Sequence, residues 1–525
     1  MEITIKRRGE RFIQNNRIGK NKPQSFTRNL DNFTTITSEE KIEIFEENIQ
    51  NLKIEVILQD ISSDSEIYEN NILISNVILN LLNRILTKIR YRGDLEVLKK
   101  YFPNSFLESI QSKEFTDDPN LSIIIGNSTE VVENPLYVSS NGWSIFLSRK
   151  EPCPWKTFEK NPLSAIYVSG IAVGEVFKML VEDFDSVEIR DEFIYDFITH
   201  GKGNQPVKKP TLPTFLGLDL TMIGCGSVGQ AIVFALNQFD LRGKITLIDP
   251  DFIDESNKQR YPLAFNENVG MKKVLYLSKY LMDHSNNLLT ILEYISPYEV
   301  AISINESLFK MKEVFISVDN VRTRTNVQAA LPRKIWNAWT DTHANTLRYG
   351  IGKHNFIDDY QCLACVYYPQ GKSPTQMELN TALLGLNEEE LNSRIQQNDP
   401  IKEEDFQFIF KNYILRPDQK QRLINLIGQP FNNIFHGECG VFNLRLGEKH
   451  ERTTATHIPM LVGTYLVIQY ILHQLEIEEG ELIQSIADFN AFTYPSEECL
   501  IKKKRNPNCI CGNPIYQEVF KNKWM

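Results

Sequence analysis

Glycines, carboxylates and cations stand in this chain at intervals that suit a nucleotide. Gly224-Cys225-Gly226-Ser227-Val228-Gly229 is a GxGxxG loop between a short apolar run, Leu220 to Ile223, and an apolar stretch of helical period, Val228 to Leu236. A second apolar run, Ile245 to Ile248, ends on Asp249, twenty residues past the last glycine. A ribose-binding carboxylate sits there in a strand-helix-strand unit of the dinucleotide type. By themselves these residues say only "nucleotide". Further charged segments follow: Asp251, then Ser256-Asn257 and Arg260, then Val269-Gly270 and Lys273, then Asp319-Asn320 and Arg322. Thiols stand apart from them, in two close pairs, Cys362-Leu-Ala-Cys365 and Cys509-Ile-Cys511. Four thiolates in this arrangement suit tetrahedral zinc that would staple the chain end to the core, although a CxxC alone could be redox-active.

The elements that must position these groups alternate. After Gly270 the pattern reads helix, strand Leu289 to Ile295, strand Glu313 to Val318 ending on Asp319, helix Val321 to Leu331 and strand Ile335 to Trp339. Such alternation predicts an α/β fold, a Rossmann-like, doubly wound, mostly parallel sheet with ligands outside the carboxyl ends of its strands, where Gly224, Asp249 and Asp319 fall. Upstream, residues 41–195 show α/β texture without a glycine fingerprint: an extended run Lys53 to Leu58, an amphipathic helix from about Ile74 to Ile89, runs at Leu121 to Ile125 and Trp143 to Leu147, and a helix from about Leu163 to Leu180. Residues 196–215 are rich in Gly and Pro and read as a linker, and residues 1–40 as a flexible basic arm, with eight Lys/Arg against two Asp/Glu in the first thirty. The second domain then covers 216–369, is interrupted by a polar, helical insertion at 370–430, and is completed by 431–525.

Composition narrows the class. A net charge of -10 and a pI near 5.5 argue against a nucleic-acid binder, which needs clustered Lys and Arg. Hydrophobic content of 42% and charged content of 24% are those of an ordinary globular protein. The longest apolar run, Ile458 to Leu472, carries Gln469 and reads as a buried helix, so no membrane span is expected. The N-terminus has no apolar segment of a secretory signal, and eight cysteines without one point to a reducing cytoplasm.

In their order, the charged segments resemble the ThiF/MoeB/HesA superfamily, the adenylating core of ubiquitin-activating enzymes. The shared pattern is the glycine loop, DxD at Asp249 and Asp251, SN followed by Arg260, VGxxK ending on Lys273, and DN at Asp319-Asn320 with Arg322 close behind. Singly, a loop Arg or Lys is usually just exposed and a strand-end Asp is often a cap; five ordered segments are far more specific. One departure is Tyr261, where the family often has Gln.

The resemblance implies ATP-dependent activation of a carboxylate. Asp249 would take the ribose hydroxyls, and the backbone at Gly224, Gly226, Ser227, Val228 and Gly229 would cradle phosphate. Asn257, Arg260 and Lys273 would serve the phosphoryl oxygens, with Asp251 and Asn320 beside them, and Asp319 would hold Mg²⁺. In family members that go on to a thioester, the nucleophilic cysteine lies just before a late glycine-containing apolar helix. Cys439 occupies that place, with His436, Arg445 and His457 near it in sequence; the bland alternative is a small buried thiol.

The implied substrate is a ubiquitin-like protein ending in Gly, the implied recipient a conjugating enzyme, and the implied assembly a homodimer. Residues 41–195 have the size of a degenerate, inactive adenylation half, or else form a substrate-clamping domain; Arg84, Arg90 and Arg92 are available there to reach a triphosphate. The alternatives are an adenylating enzyme of a sulfur carrier or peptide C-terminus without a thioester, and a non-enzymatic nucleotide-binding scaffold.

Overall fold

The computed structural model describes residues 47–58, 66–99, 102–126, 128, 130–181, 187–201, 209–284, 288–343, 346–368, 381, 384–397, 399–412, 417–429, 431, 455–476 and 486–525. Two compact units emerge, one of residues 1–367 with 453–525, the other of residues 368–452.

The first unit holds two sheets. In its N-terminal half, β1 (Lys53–Leu58), α1 (Glu66–Leu82), β2 (Lys88–Arg92), α2 (Leu95–Lys99), α3 (Asn104–Gln111), β3 (Leu121–Ile125), β4 (Pro135–Asn141), β5 (Ser144–Ser148), α4 (Pro162–Leu180) and β6 (Glu192–Asp196) build a six-stranded sheet of order β2-β1-β3-β4-β5-β6. The second half runs β7 (Phe215–Ile223), α5 (Ser227–Leu236), β8 (Asp240–Ile248), α6 (Lys273–His284), β9 (Leu289–Tyr294), α7 (Tyr298–Ile304), β10 (Glu313–Ile316), α8 (Val321–Ala329), β11 (Lys334–His343), β12 (Thr346–His354) and α9 (Leu363–Val366). After the second unit it continues with α13 (His457–Gln474), β13 (Ile486–Asn490), β14 (Leu500–Ile501) and α14 (Pro514–Trp524). Its sheet order is β14-β13-β12-β11-β10-β7-β8-β9.

The two sheets share a plan. In each, the first strand pairs in parallel with the second and with the strand beyond it (β1 with β2 and β3; β7 with β8 and β10), and the next neighbour is parallel too (β3 with β4; β10 with β11). Antiparallel strands then follow, β5 and β6 in one sheet, β12 and β13 in the other. In each, a long apolar helix, α4 or α13, joins the two antiparallel strands. Only β9 and β14 lack a counterpart among the described strands.

The halves meet through those helices. α4 packs on α1 within its own half and on α13 across the junction, while α13 also packs on α5. Contact is close because the sequence supplies glycine: a Cβ at Gly170 would stand 2.7 Å from Leu461, and one at Gly463 would stand 2.7 Å from Ala231 Cβ and 2.9 Å from the Ile232 nitrogen. Both helices are mostly apolar and buried, with a Glu175–Lys178 ion pair enclosed on α4, as expected of helices with little solvent face. α4 is long and apolar enough to cross a bilayer, contrary to the expectation that the longest apolar run lies at Ile458 to Leu472; 94% of its apolar window is covered by the rest of the protein.

One helix ends earlier than its pattern. The four-residue apolar repeat through Ile89 predicts helix to that point, yet α1 stops at Leu82 and Ile89 lies in β2. Ile85 and Leu86 fill the same core from the intervening turn and so continue the apolar pattern beyond the helix. In the second unit, α10 (Glu388–Gln397), α11 (Gln407–Asn412) and α12 (Pro417–Ile424) surround Leu384, Leu391, Ile401, Phe406, Ile409, Leu423 and Phe431.

Gly463→Val tests the close helix approach. The new side chain collides with backbone as well as with a side chain, so the urea midpoint should fall by the equivalent of roughly 1–3 kcal/mol; an unchanged midpoint would show that the junction has slack.

Candidate active site

The motif residues converge at the carboxyl ends of β7, β8 and β10. Gly224 leaves β7 at φ +98, a conformation that L side chains rarely adopt, and a Cβ there would stand 3.0 Å from the Ser317 backbone. The Gly224 carbonyl accepts from Ser317 Oγ at 3.0 Å, which ties the loop to the end of β10. At Gly229 an added Cβ would lie 2.3 Å from the Gly224 carbonyl oxygen, so the turn closes only without a side chain. α5 starts at Gly226 with no side-chain cap. Its first-turn N–H groups therefore lack an intrahelical or capping acceptor, the arrangement that receives an anion.

Asp249 holds this turn. Its Oδ2 accepts from the Cys225 N–H at 2.7 Å and its Oδ1 from the Asp251 N–H at 2.9 Å. The carboxylate is buried, and burial pushes its pKa up against the opposing pull of Lys273 and those N–H donors. Each oxygen keeps a second lone pair, so ribose hydroxyls are still acceptable partners. Lys273, at the start of α6, places its Nζ 2.7 Å from Asp251 and 3.9 Å from Asp249. Burial alone would lower the Lys273 pKa, but Tyr261, Asp249 and Asp251 outweigh it and hold the ammonium above the ordinary lysine value.

The segment between them is ordered by its own side chains. Asn257 is buried, and its Oδ1 accepts from the Asp254 N–H at 3.0 Å. The Arg260 guanidinium stands 5.5 Å from the Tyr261 ring centre, and Lys273 Nζ 5.8 Å from the same centre. Tyr261 is buried with its hydroxyl 3.5 Å from where a Gly226 Cβ would be. This tyrosine covers the glycine loop; the sequence marked it only as a departure.

Asp319 is exposed just past β10. Asn320 caps α8, accepting from the Thr323 N–H at 3.0 Å. Arg322 is exposed on that helix, whereas Arg324, unremarked in the sequence, is buried: it donates to Asn337 Oδ1, to the Val318 carbonyl and, at 3.2 Å, to the Ala338 carbonyl. It thereby binds Val318, just past β10 and next to Asp319, to the middle of β11.

The cysteine pairs meet. Cys362, Cys365, Cys509 and Cys511 are buried with all four sulfurs within 4.8 Å of one another, the nearest pairs at 3.3, 3.7 and 3.8 Å. Four thiolates at Zn–S of about 2.3 Å in a tetrahedron would stand ~3.8 Å apart, so the set fits. The backbone joins the same segments, with Tyr360 bridging Lys504 and the Gln361 N–H donating to the Lys503 carbonyl at 3.0 Å.

Other expected residues lie elsewhere. Cys439, His436 and Arg445 fall outside the described residues. His457 is a core residue: it lies against Phe177, ring centres 5.3 Å apart, and burial, with Lys178 nearby, pulls its pKa down to about 3. Arg90 pairs with Glu55 at 2.7 Å, Arg92 with Glu130 at 2.6 Å, and Arg84 donates to backbone carbonyls. A cavity of about 280 Å³ lined in part by Asp219, Lys312, Lys334 and His473 opens at the amino ends of β10 and β11, the edge opposite the motif residues.

Asp249→Ala would leave the Cys225 and Asp251 N–H groups without acceptors. The expected cost is about 1–3 kcal/mol in unfolding free energy, together with loss of any ATP-dependent rise in Tm. A variant that keeps the ATP-dependent rise would remove Asp249 from the nucleotide site.

The model of the ThiF family matches residues 214–511. An uncharacterized protein, y4jF, of Sinorhizobium fredii is 28% identical over 407 residues, which are 74% of each chain. Solved structures similar to this chain include E. coli MccB with succinimide, at 14% identity over 55% of this chain and 65% of that one with a TM-score of 0.33. Another is the E. coli tRNA N6-threonylcarbamoyladenosine dehydratase TcdA in complex with AMP, at 27% identity over 21% and 44% with a TM-score of 0.18. Neither superposition is close enough to bear on the reaction. The family match covers most of the chain and every motif residue above, and the chain belongs to the ThiF family of ATP-dependent adenylating enzymes.

Proposed function

We propose that the protein adenylates the C-terminal carboxylate of a peptide or small protein, a ubiquitin-like protein ending in Gly being the substrate that the motif pattern favours. The observation that carries this is the junction of Asp249, Asp251 and Lys273 with an uncapped helix start on one sheet edge. A nicotinamide site needs the loop and the acid. It has no use for Arg260 and Lys273 around a reacting phosphate, nor for Asp319 beside it.

Attack on the α-phosphate by a carboxylate, a poor nucleophile, depends on position and charge. The first turn of α5 and the Gly226 backbone would receive phosphate oxygens, with Arg260 and Lys273 offering donors where charge develops. Asn257 and Asn320 shape the local backbone through Oδ1, and the Asn257 amide NH2 would still offer donors to phosphoryl oxygens. Mg²⁺ would screen the triphosphate, and Asp319 would hold it, one such group with phosphate and water oxygens being an ordinary magnesium set. The four-cysteine cluster would hold zinc in a structural role, because four buried thiolates would fill all four positions and leave none open.

The N-terminal half is proposed as a degenerate copy of the active one. Its six strands match the order of six of the eight strands in the other sheet, but after β1 the sequence is Gln59-Asp-Ile-Ser-Ser-Asp-Ser65, with no glycine. Counted three residues past the last paired residue of each strand, Ile125 and Ile316, Ser128 matches Asp319 in sequence. A half without the loop or the metal carboxylate has no phosphate chemistry to offer.

The test is ATP–pyrophosphate exchange with candidate peptides and ubiquitin-like proteins. Wild type should exchange only when a free C-terminal carboxylate is supplied, and Asp319→Ala and Lys273→Ala should each lose at least about 100-fold. Exchange retained by both variants would defeat the reading. A second readout concerns Cys439: if a thioester follows, a non-reducing gel should show a DTT-sensitive adduct that Cys439→Ala lacks. Adenylation without that adduct assigns the thioester-free reaction. For the zinc, elemental analysis should find one equivalent per chain and none in Cys365→Ser/Cys509→Ser.

A further inference from the structure

Arg84 lies just beyond α1, in the N-terminal half, but its guanidinium is engaged by the active half. It donates to the carbonyl oxygens of Lys258, of Pro262 at 3.3 Å and of Ala264 at 3.3 Å, and its Nε donates to Asn80 Oδ1 at 2.9 Å. Asn80, itself buried, donates its Nδ2 to the same Pro262 carbonyl at 2.9 Å. Among the described residues Arg84 forms no ion pair with a carboxylate. Burial lowers its pKa to about 10, Tyr276 opposing, so it stays charged at neutral pH.

The carbonyls it binds have no ladder or helix to serve them, because residues 258–264 run through turns between Asn257 and the next short helix at Asn266–Asn268. Partners therefore come from outside: Arg84 and Asn80, with the Tyr276 hydroxyl on the Leu263 carbonyl and Gln230 Oε1 accepting from the Leu263 N–H. A planar fork spreads five donors over a fixed plane and so matches three separated carbonyls, whereas an ammonium's three donors radiate from a single nitrogen. Phe265 closes the far side, packed edge-on against Phe102 and Phe106 and beneath the Arg84 guanidinium at 5.5 Å.

We infer that Arg84 and Asn80 are positioning residues of the adenylation site: they fix segment 258–264, and with it Asn257 and Arg260, without touching nucleotide. The degenerate half then contributes a backbone clamp to the active half. The inference rests on the adenylation reading for its kinetic consequence, though the clamp itself is readable without any reaction.

Two measurements on the full chain test it. In Arg84→Met, hydrogen exchange should quicken at least tenfold at the amides of 257–264 and stay unchanged in β7, β8 and β10. In the same variant the kcat of pyrophosphate exchange should fall about 100-fold with little change in KM for ATP, the signature of misplaced groups rather than lost ground-state binding. Arg84→Lys should lie nearer to Arg84→Met than to wild type, and guanidinium ion should rescue Arg84→Ala where sodium chloride of equal ionic strength does not. If Arg84→Met does not fold, Asn80→Ala, which removes one donor to Pro262, should move both readouts in the same direction by less. Amides of 257–264 as protected as in wild type, or kcat within twofold of wild type, would overturn the inference. A wild type that exchanges no pyrophosphate would sink the adenylation reading, and the amide readout would still decide the clamp.

Discussion

The site depends on one buried carboxylate that closes a turn. Asp249 accepts from the Cys225 and Asp251 backbones, and so fixes where the glycine loop leaves β7 and where the chain leaves β8. A buried carboxylate is costly unless donors surround it. The two N–H groups and Lys273 supply that compensation, and in doing so they draw the loop, the DxD segment and the start of α6 to one point. The uncapped start of α5 and the ammonium of Lys273, both expected to touch phosphate, are placed by this junction.

The rest of the molecule holds that edge rigid. Ser317 ties the glycine loop to the end of β10, and Arg324 joins Val318, beyond β10, to Asn337 and Ala338 of β11 by three hydrogen bonds. Beneath them α13 packs on α5 through Gly463 and on α4 through Leu461 and Gly170, so the active sheet is backed by a helix layer shared with a second sheet of matching topology. The C-terminus is secured independently, by the cysteine cluster and by α14, whose Lys523 donates to the Ala330 carbonyl at 2.7 Å and whose Trp524 donates to that of Leu331 at 2.8 Å.

The glycine loop, Asp249, Lys273 and the cysteine pairs were legible because their meaning lies in short spacings and in order along the chain. Strand and helix alternation in the second half was legible for the same reason. In the N-terminal half, β2, β4 and β6 escaped notice: β2 is masked by an apolar repeat that runs through the turn after α1, and β6 has the alternation of a single buried face over only five residues. The repeat of one half by the other is a fact of pairing, and no shared motif announces it. Arg84 could not be placed at all from sequence, since its acceptor at Lys258 is 174 residues away and is a carbonyl, which every residue carries. Tyr261 showed as an anomaly, and only its position over Gly226 explains what it does there.

The central claim is that a carboxylate oxygen attacks the α-phosphate of ATP. It is tested most directly by labelling the C-terminal carboxylate of a substrate with ¹⁸O and following the product nucleotide by mass spectrometry. When a nucleophile opens an acyl-adenylate at its carbonyl carbon, the bridging oxygen leaves with the phosphate, so AMP carrying one ¹⁸O from the substrate is the predicted result. AMP free of label, or ADP in its place, would contradict the account.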